Sequence, residues 1–193
     1  MSIDKIKKYV FDRLNNELSD KLTYHGVHHT RSVLKACEEY IKRMNLSEKD
    51  AFLLKTAALF HDIGFTQTYD NHEEEGIRMA REILPGWNYS QEDIETIAGI
   101  IRATKIPQKP TTIPEQIIGD SDLDYLGTDE FDSIGDTLFE ELLSFNKISD
   151  RKQWDMLQIN FLQNHSYHTP YAKKYREPLK QKHLKEILNR LNN

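Results

Sequence analysis

Apolar residues recur every three to four positions through most of this chain, and nowhere do they alternate singly. That period predicts helix throughout and argues for no strand. Ile6, Val10, Phe11 and Leu14 predict a first helix from about Asp4 to Leu18. Val33, Ala36, Cys37, Tyr40 and Ile41 mark the inner face of a second, from Thr23 or Tyr24 to about Met44. Ser47-Glu48-Lys49-Asp50 has the form of a capping box and opens a third, which ends at His61-Asp62. Asn71 is placed to cap a fourth, with Glu73, Glu74 and Glu75 at the positive end of its dipole, and Pro85-Gly86 ends it. Ile94, Ile97, Ala98 and Ile101 stripe the next, before a proline-rich turn from Thr104 to Pro110. Pro114 suits the first position of a helix carrying Ile117, Ile118 and Leu126, which Gly127 ends. Further helices are predicted over about Thr128 to Phe145, Ser149 to Tyr167 and Tyr171 to Leu191. The fold class is all-α, a single-domain helical bundle over residues 1–193, with no repeat or linker to divide it.

The third helix breaks the amphipathic rule. Ala51, Phe52, Leu53, Leu54, Ala57, Ala58, Leu59 and Phe60 leave it almost no polar face, so it is buried on most sides. It runs straight into an adjacent His61 and Asp62, then Ile63-Gly64. An unpaired carboxylate in apolar surroundings is very costly, so Asp62 needs a partner. A divalent ion would satisfy both residues, because neutral imidazole and carboxylate both ligate such ions.

Composition narrows the setting. In 193 residues, 38% are hydrophobic and 30% charged, which suits a globular domain with a substantial core. No apolar run is long enough to span a bilayer. The start, Met1-Ser2-Ile3-Asp4-Lys5, reads as an amphipathic helix and not as a signal peptide. The single Cys37 excludes an internal disulfide and a thiolate cluster, so the expected compartment is the cytoplasm. A net charge of -5 argues against bulk nucleic-acid binding. From Thr111 to Asn146 there are ten Asp and Glu and no Lys or Arg, while Lys173 to Arg190 is basic. The plain reading of both blocks is a solvated face; one inward carboxylate from the acidic block is enough for a cation site.

Counting back from Val33 in steps of four puts His29 and then His25 on the inner face of the second helix, with His28 turned elsewhere. Asp122 has Ile118 four before it and Leu126 four after, so it lies on an apolar stripe and is the carboxylate expected to point inward. Asp120 and Asp124 share a different side. His72 sits in a first helical turn, and Arg102 and Lys105 are placed to approach an anionic substrate, unless they are ordinary surface cations.

These residues resemble the HD superfamily of metal-dependent phosphohydrolases, whose pattern is a His, an adjacent His-Asp and a distant Asp on an all-helical core. The matching residues are His29, His61-Asp62 and Asp122. Tyr24-His25-Gly26-Val27-His28-His29 looks like the segment whose last His binds metal, and Asp120-Ser121-Asp122-Leu123 like the final motif whose second Asp is the ligand. The resemblance spans about 24–127 and leaves 128–193 as a helical extension. It implies one divalent ion, Mn, Fe, Co, Ni or Zn, held by His29, His61, Asp62 and Asp122, with the metal's water as nucleophile. It assigns catalytic work to His25, as donor to the leaving group, to Asp62, and to Asp120, left to orient water or a ligand. His72, Arg102 and Lys105 are the candidate substrate-binding residues. The expected partner is a small phosphorylated molecule, a phosphomonoester or phosphodiester of a nucleotide, with an oligomer left open.

The chain departs from the pattern in two places. Phe65 and Thr66 follow Gly64 where many such hydrolases carry Glu, Asp or Lys. Near Ala103-Thr104 there is no histidine for a second ion. The first departure motivates an alternative, a non-catalytic metal-stabilised nucleotide sensor. A di-iron oxygenase on a similar scaffold would need more ligands than the sequence offers.

Overall fold

The computed structural model describes residues 2–192; Met1 and Asn193, the ends of the expected domain, lie outside them. Among the described residues there are ten α helices and no strand, as the hydrophobic period predicts. Among the described residues no helix is long and apolar enough to cross a membrane. The described residues form two compact units. The first takes the chain up to Ser19 and then His25–Asp122; the second takes Asp20–Tyr24 and everything after Asp122.

The first unit holds six helices: α1 (Ile3–Glu17), α2 (Val27–Met44), α3 (Glu48–Phe60), α4 (His72–Ile83), α5 (Gln91–Arg102) and α6 (Ile113–Asp122). α3 is its centre. Leu54, Ala57, Ala58, Leu59 and Phe60 are completely buried, and α1, α2, α5 and α6 all pack on it. Each large apolar side chain buried this way contributes about 1.5–3 kcal/mol. The start of α3 is fixed by Ser47, whose hydroxyl oxygen accepts the Asp50 N–H at 3.1 Å. Ser90 does the same for Asp93 at the start of α5. Between α3 and α4 the chain turns through Ile63–Thr66, where Gly64 is obligatory: a Cβ there would lie 1.9 Å from the His72 carbonyl oxygen. This close approach seats the start of α4 against the end of α3.

Three local expectations are corrected. α2 begins at Val27 with Gly26 as its N-cap, so His25 precedes the helix instead of riding its inner face. Asn71 stands before α4 in a left-handed conformation, φ 57°, and makes no capping bond. Its side-chain oxygen instead accepts from the Lys105 ammonium at 3.1 Å. The helix expected to reach Gly127 stops at Asp122; Leu123 leaves helical geometry at φ -109°, ψ 18°, and Asp124–Gly127 forms a separate 3-10 turn.

The second unit contains that turn and α7 (Phe131–Ser144), α8 (Arg151–Asn164), α9 (Pro170–Tyr175) and α10 (Glu177–Asn192). The expected final helix is thus two, parted at Arg176. Phe131, Trp154, Leu162, Tyr167, Ala172 and Ile187 form its core. The Asp20–Tyr24 segment is held by the Thr23 hydroxyl, which donates to the Thr137 carbonyl at 2.7 Å, and by the Tyr24 N–H, which donates to buried Glu141 at 2.9 Å.

Candidate metal centre

Three places in the first unit bring their side chains to one point. His29 lies in the first turn of α2, His61 and Asp62 directly follow α3, and Asp122 is the last residue of α6. His29 Nε2 is 3.0 Å from Asp122 Oδ1 and 3.5 Å from Asp62 Oδ2. His61 Nε2 is 3.2 Å from Asp62 Oδ2 and 3.6 Å from Asp122 Oδ1. The ligand atoms of His29, His61 and Asp122 all lie within 4.8 Å of one another. Ligands held about 2.1 Å from a common ion are separated by roughly 3–3.5 Å, so these spacings fit a cation's cage.

The orientation of His61 sharpens the case. Its Nδ1 lies 2.8 Å from the Ala58 carbonyl oxygen, which fixes the N–H on that nitrogen and leaves the Nε2 lone pair facing the cluster. The residue is completely buried, yet Nε2 has no hydrogen-bond partner, and neither does Asp62 Oδ2. Two converging, buried polar atoms without hydrogen bonds are what a site built for an ion leaves behind. The residues present therefore fit a divalent ion.

The electrostatics agree. Burial alone would depress the His61 imidazole, but the Asp62 and Asp122 carboxylates outweigh it and hold the group well above its ordinary range. Asp62 is held far below the usual carboxylate range: burial pushes it up, and the facing His61, with His25 and His29, pulls it further down. Asp122 falls to about 2, where His29 and His61 overcome the opposing effect of burial. A positive charge at this point is thus strongly favoured, and without an ion the imidazoles supply it.

Other expected site residues fall in three groups. His25 and His72 border the cluster. The His25 ring is 5.8 Å from that of His29 and stacks on Phe65 at 4.2 Å; His72 stacks on Phe65 at 3.8 Å. His72 Nε2 lies 3.6 Å from Asp62 Oδ1, on the other side of the carboxylate from His61, and burial lowers its pKa. Asp120 is completely buried on α6, more so than Asp122, whose side chain is 15% exposed. The helical period therefore ranked their burial in the wrong order, although Asp122 is the one that meets the histidines. Arg102 and Lys105 are exposed and stand apart: Arg102 forks onto Glu74 at 2.6 and 2.9 Å, and Lys105 bonds Asn71.

Sequence reasoning passed over two residues. Glu73 was read as a dipole partner, but it is 8% exposed and its Oε1 lies 3.8 Å from His72 Nε2. Its position four before buried Ile77 was the available signal. Phe65 was seen only as the absence of an acid; it is the plate on which His25 and His72 stack.

An all-helical unit with a buried His, His-Asp and Asp cluster defines a class of metal-site proteins. The profile of the HD domain matches residues 26–126, just over half of the chain and the stretch that carries the cluster. The chain belongs to the HD-domain family, whose members are mostly metal-dependent phosphohydrolases. No curated protein and no solved structure matches it.

Proposed function

We propose that this protein is a metal-dependent phosphohydrolase that cleaves a phosphomonoester or phosphodiester of a nucleotide. The observation that carries the reading is the convergence of His61 Nε2 and Asp62 Oδ2, both buried and without hydrogen-bond partners, with His29 and Asp122 around one point. A divalent ion held there supplies a Lewis acid for a phosphoryl oxygen and lowers the pKa of water. The chain's own residues do the rest. His29, His61 and Asp122 hold the ion, and the Ala58 carbonyl keeps His61 aimed at it. Asp62 adds a carboxylate that faces His61 with one oxygen and His72 with the other. His25, which stacks on Phe65, is assigned to give a proton to the leaving oxygen. Asp120 is assigned to orient water or a ligand, and His72 to bind substrate. One ion is expected.

Turnover of a panel of nucleotide mono- and diesters with added Mn, Co or Ni tests this reading. Metal-dependent hydrolysis is expected for at least one ester. The second reading, a metal-stabilised nucleotide sensor, draws on Phe65, which fills the position where a catalytic acid would otherwise follow the doublet. Tight nucleotide binding with no turnover of any ester would favour the sensor.

A further inference from the structure

A hollow of about 460 Å³ opens between the end of α5 and the start of α6. Arg102, Lys105, Ile106, Pro107, Lys109 and Glu115 line it, none of them part of the metal cluster. Two of its charges are already answered. Arg102 is held by Glu74, and Glu115 Oε2 accepts the Thr111 and Thr112 backbone N–H groups and the Thr111 hydroxyl. The two lysines are different. Lys105 spends one of its three donors on the neutral Asn71 oxygen, and Lys109 forms no hydrogen bond or ion pair with any described residue. Beside them Ile106 is 51% exposed, an apolar side chain in a concave wall.

One lysine of the hollow is linked to the metal cluster through the chain. Asn71, which receives Lys105, directly precedes His72, and His72 Nε2 is 3.6 Å from Asp62 Oδ1. Glu74, which receives Arg102, lies in the same first turn of α4. A ligand spanning both places needs one phosphoryl group at the cluster, an apolar body against Ile106 and Pro107, and a second anionic group for the lysines. A volume of this order accommodates a mononucleotide-sized ligand.

We propose that this hollow seats the apolar body and a second anionic group of the substrate. The substrate class is then a nucleotide with more than one phosphate, such as a nucleoside diphosphate or bisphosphate, and Lys105 and Lys109 set that preference. The inference rests on the phosphohydrolase reading, and its test separates the two.

The manganese-loaded protein is assayed with adenosine 5′-monophosphate, adenosine 5′-diphosphate and adenosine 3′,5′-bisphosphate, and binding of each is measured by titration calorimetry. A charge-assisted hydrogen bond of about 1.5–3 kcal/mol corresponds to roughly 10–100-fold in affinity. The wild type should prefer a two-phosphate nucleotide by at least about tenfold. In Lys105→Ala/Lys109→Ala that preference should shrink toward unity through KM, with kcat changing less, and Lys109→Arg should retain it. Equal handling of one- and two-phosphate nucleotides by the wild type overturns the proposal, as does a double variant that keeps the preference. If nothing is hydrolysed but calorimetry shows the preference and its loss, the hollow stands and the hydrolase reading fails. Absence of both binding and turnover overturns the proposal.

Discussion

Each of the two units buries a cluster of ionisable groups, and the two clusters answer their electrostatics in opposite ways. In the first, His61 faces two carboxylates and its imidazole is held well above its ordinary range against the pull of burial. In the second, His165 stands next to Lys180, and burial together with that ammonium lowers its pKa to about 4. Lys180 is completely buried. It donates to the His165 carbonyl at 2.5 Å, pairs with Glu177 at 3.0 Å and sits 5.6 Å above the Tyr167 ring. The second cluster carries its own cation in Lys180, although His165 Nε2 there is also buried without a hydrogen-bond partner. The first gathers imidazole nitrogens and carboxylate oxygens, and among the described residues no lysine or arginine pairs with Asp62 or Asp122. Burial of polar groups alone is therefore a poor guide to a site; the missing charge is the better one.

The largest test of that contrast is metal retention. His61→Ala, Asp62→Ala and Asp122→Asn should each reduce bound metal to under about a tenth of the wild-type content by elemental analysis. They should also lose the rise in Tm that an ion bound only by the native state provides. Asp124→Asn should keep its metal, because the Asp124 carboxylate is engaged by Arg176 at 2.8 Å. Wild-type metal content in the His61 or Asp122 variants would erase the distinction between the clusters.

Next in size is His25. If its imidazole protonates the leaving group, His25→Ala should lower turnover by roughly 10²–10⁴-fold with metal content intact. An unchanged rate would reduce it to a packing partner of Phe65.

The difference between the clusters also explains what could be read from the chain. Helices and caps follow from local spacing, so the Ser47 cap was legible and the structure places it as expected. His29, His61 and Asp122 were legible because each adjoins an apolar helical face. The break at Leu123 was not, since no proline or glycine stands at it; the break at Arg176 does carry a signal, Pro178 two residues on, in the first turn of α10. At the second, a Cβ on Gly127 would lie 2.4 Å from the Arg176 carbonyl oxygen, so distant backbones meet there, and no local pattern records that. Lys180 was hidden in the same way. It sits in a stretch that reads as a basic surface helix, and only the return of the chain at His165 and Tyr167 makes it a core residue. Glu73 was obscured by its neighbours Glu74 and Glu75, which share its chemistry but remain at the surface or only half-buried.

The third prediction concerns the self-sufficient cluster. Lys180→Met should destabilise the protein by about 2–3 kcal/mol in denaturant unfolding, because it leaves the His165 carbonyl without its donor and Glu177 with Gln181 as its remaining partner. Metal content should stay at the wild-type level. Lys180→Met/Glu177→Gln should recover part of the loss, since it removes the charge that has lost its cation. A Lys180 variant that also lost its metal would mean that the two clusters are not separable.

The smallest effect is a pH dependence. His165 titrates near 4 in the folded protein and at about 6.5 in the unfolded chain. Between those values the unfolded chain binds a proton that the folded protein refuses, so the contribution of this group to stability falls as pH drops from 6.5 toward 4. The slope approaches 1.4 kcal/mol per pH unit, and the total is at most roughly 3 kcal/mol. His61 works in the opposite sense in the ion-free protein, because its raised pKa adds stability that is lost as pH rises through it. The two are separated by comparing the wild type with His165→Gln, both with metal removed, across pH 7 to 4. The stability difference between the proteins should change by up to that amount in favour of the variant at the acid end, while the His61 contribution cancels. A difference that stays constant with pH would show that the Lys180 ammonium does not hold the His165 imidazole neutral. The second cluster would then lose the charge balance that sets it apart from the first.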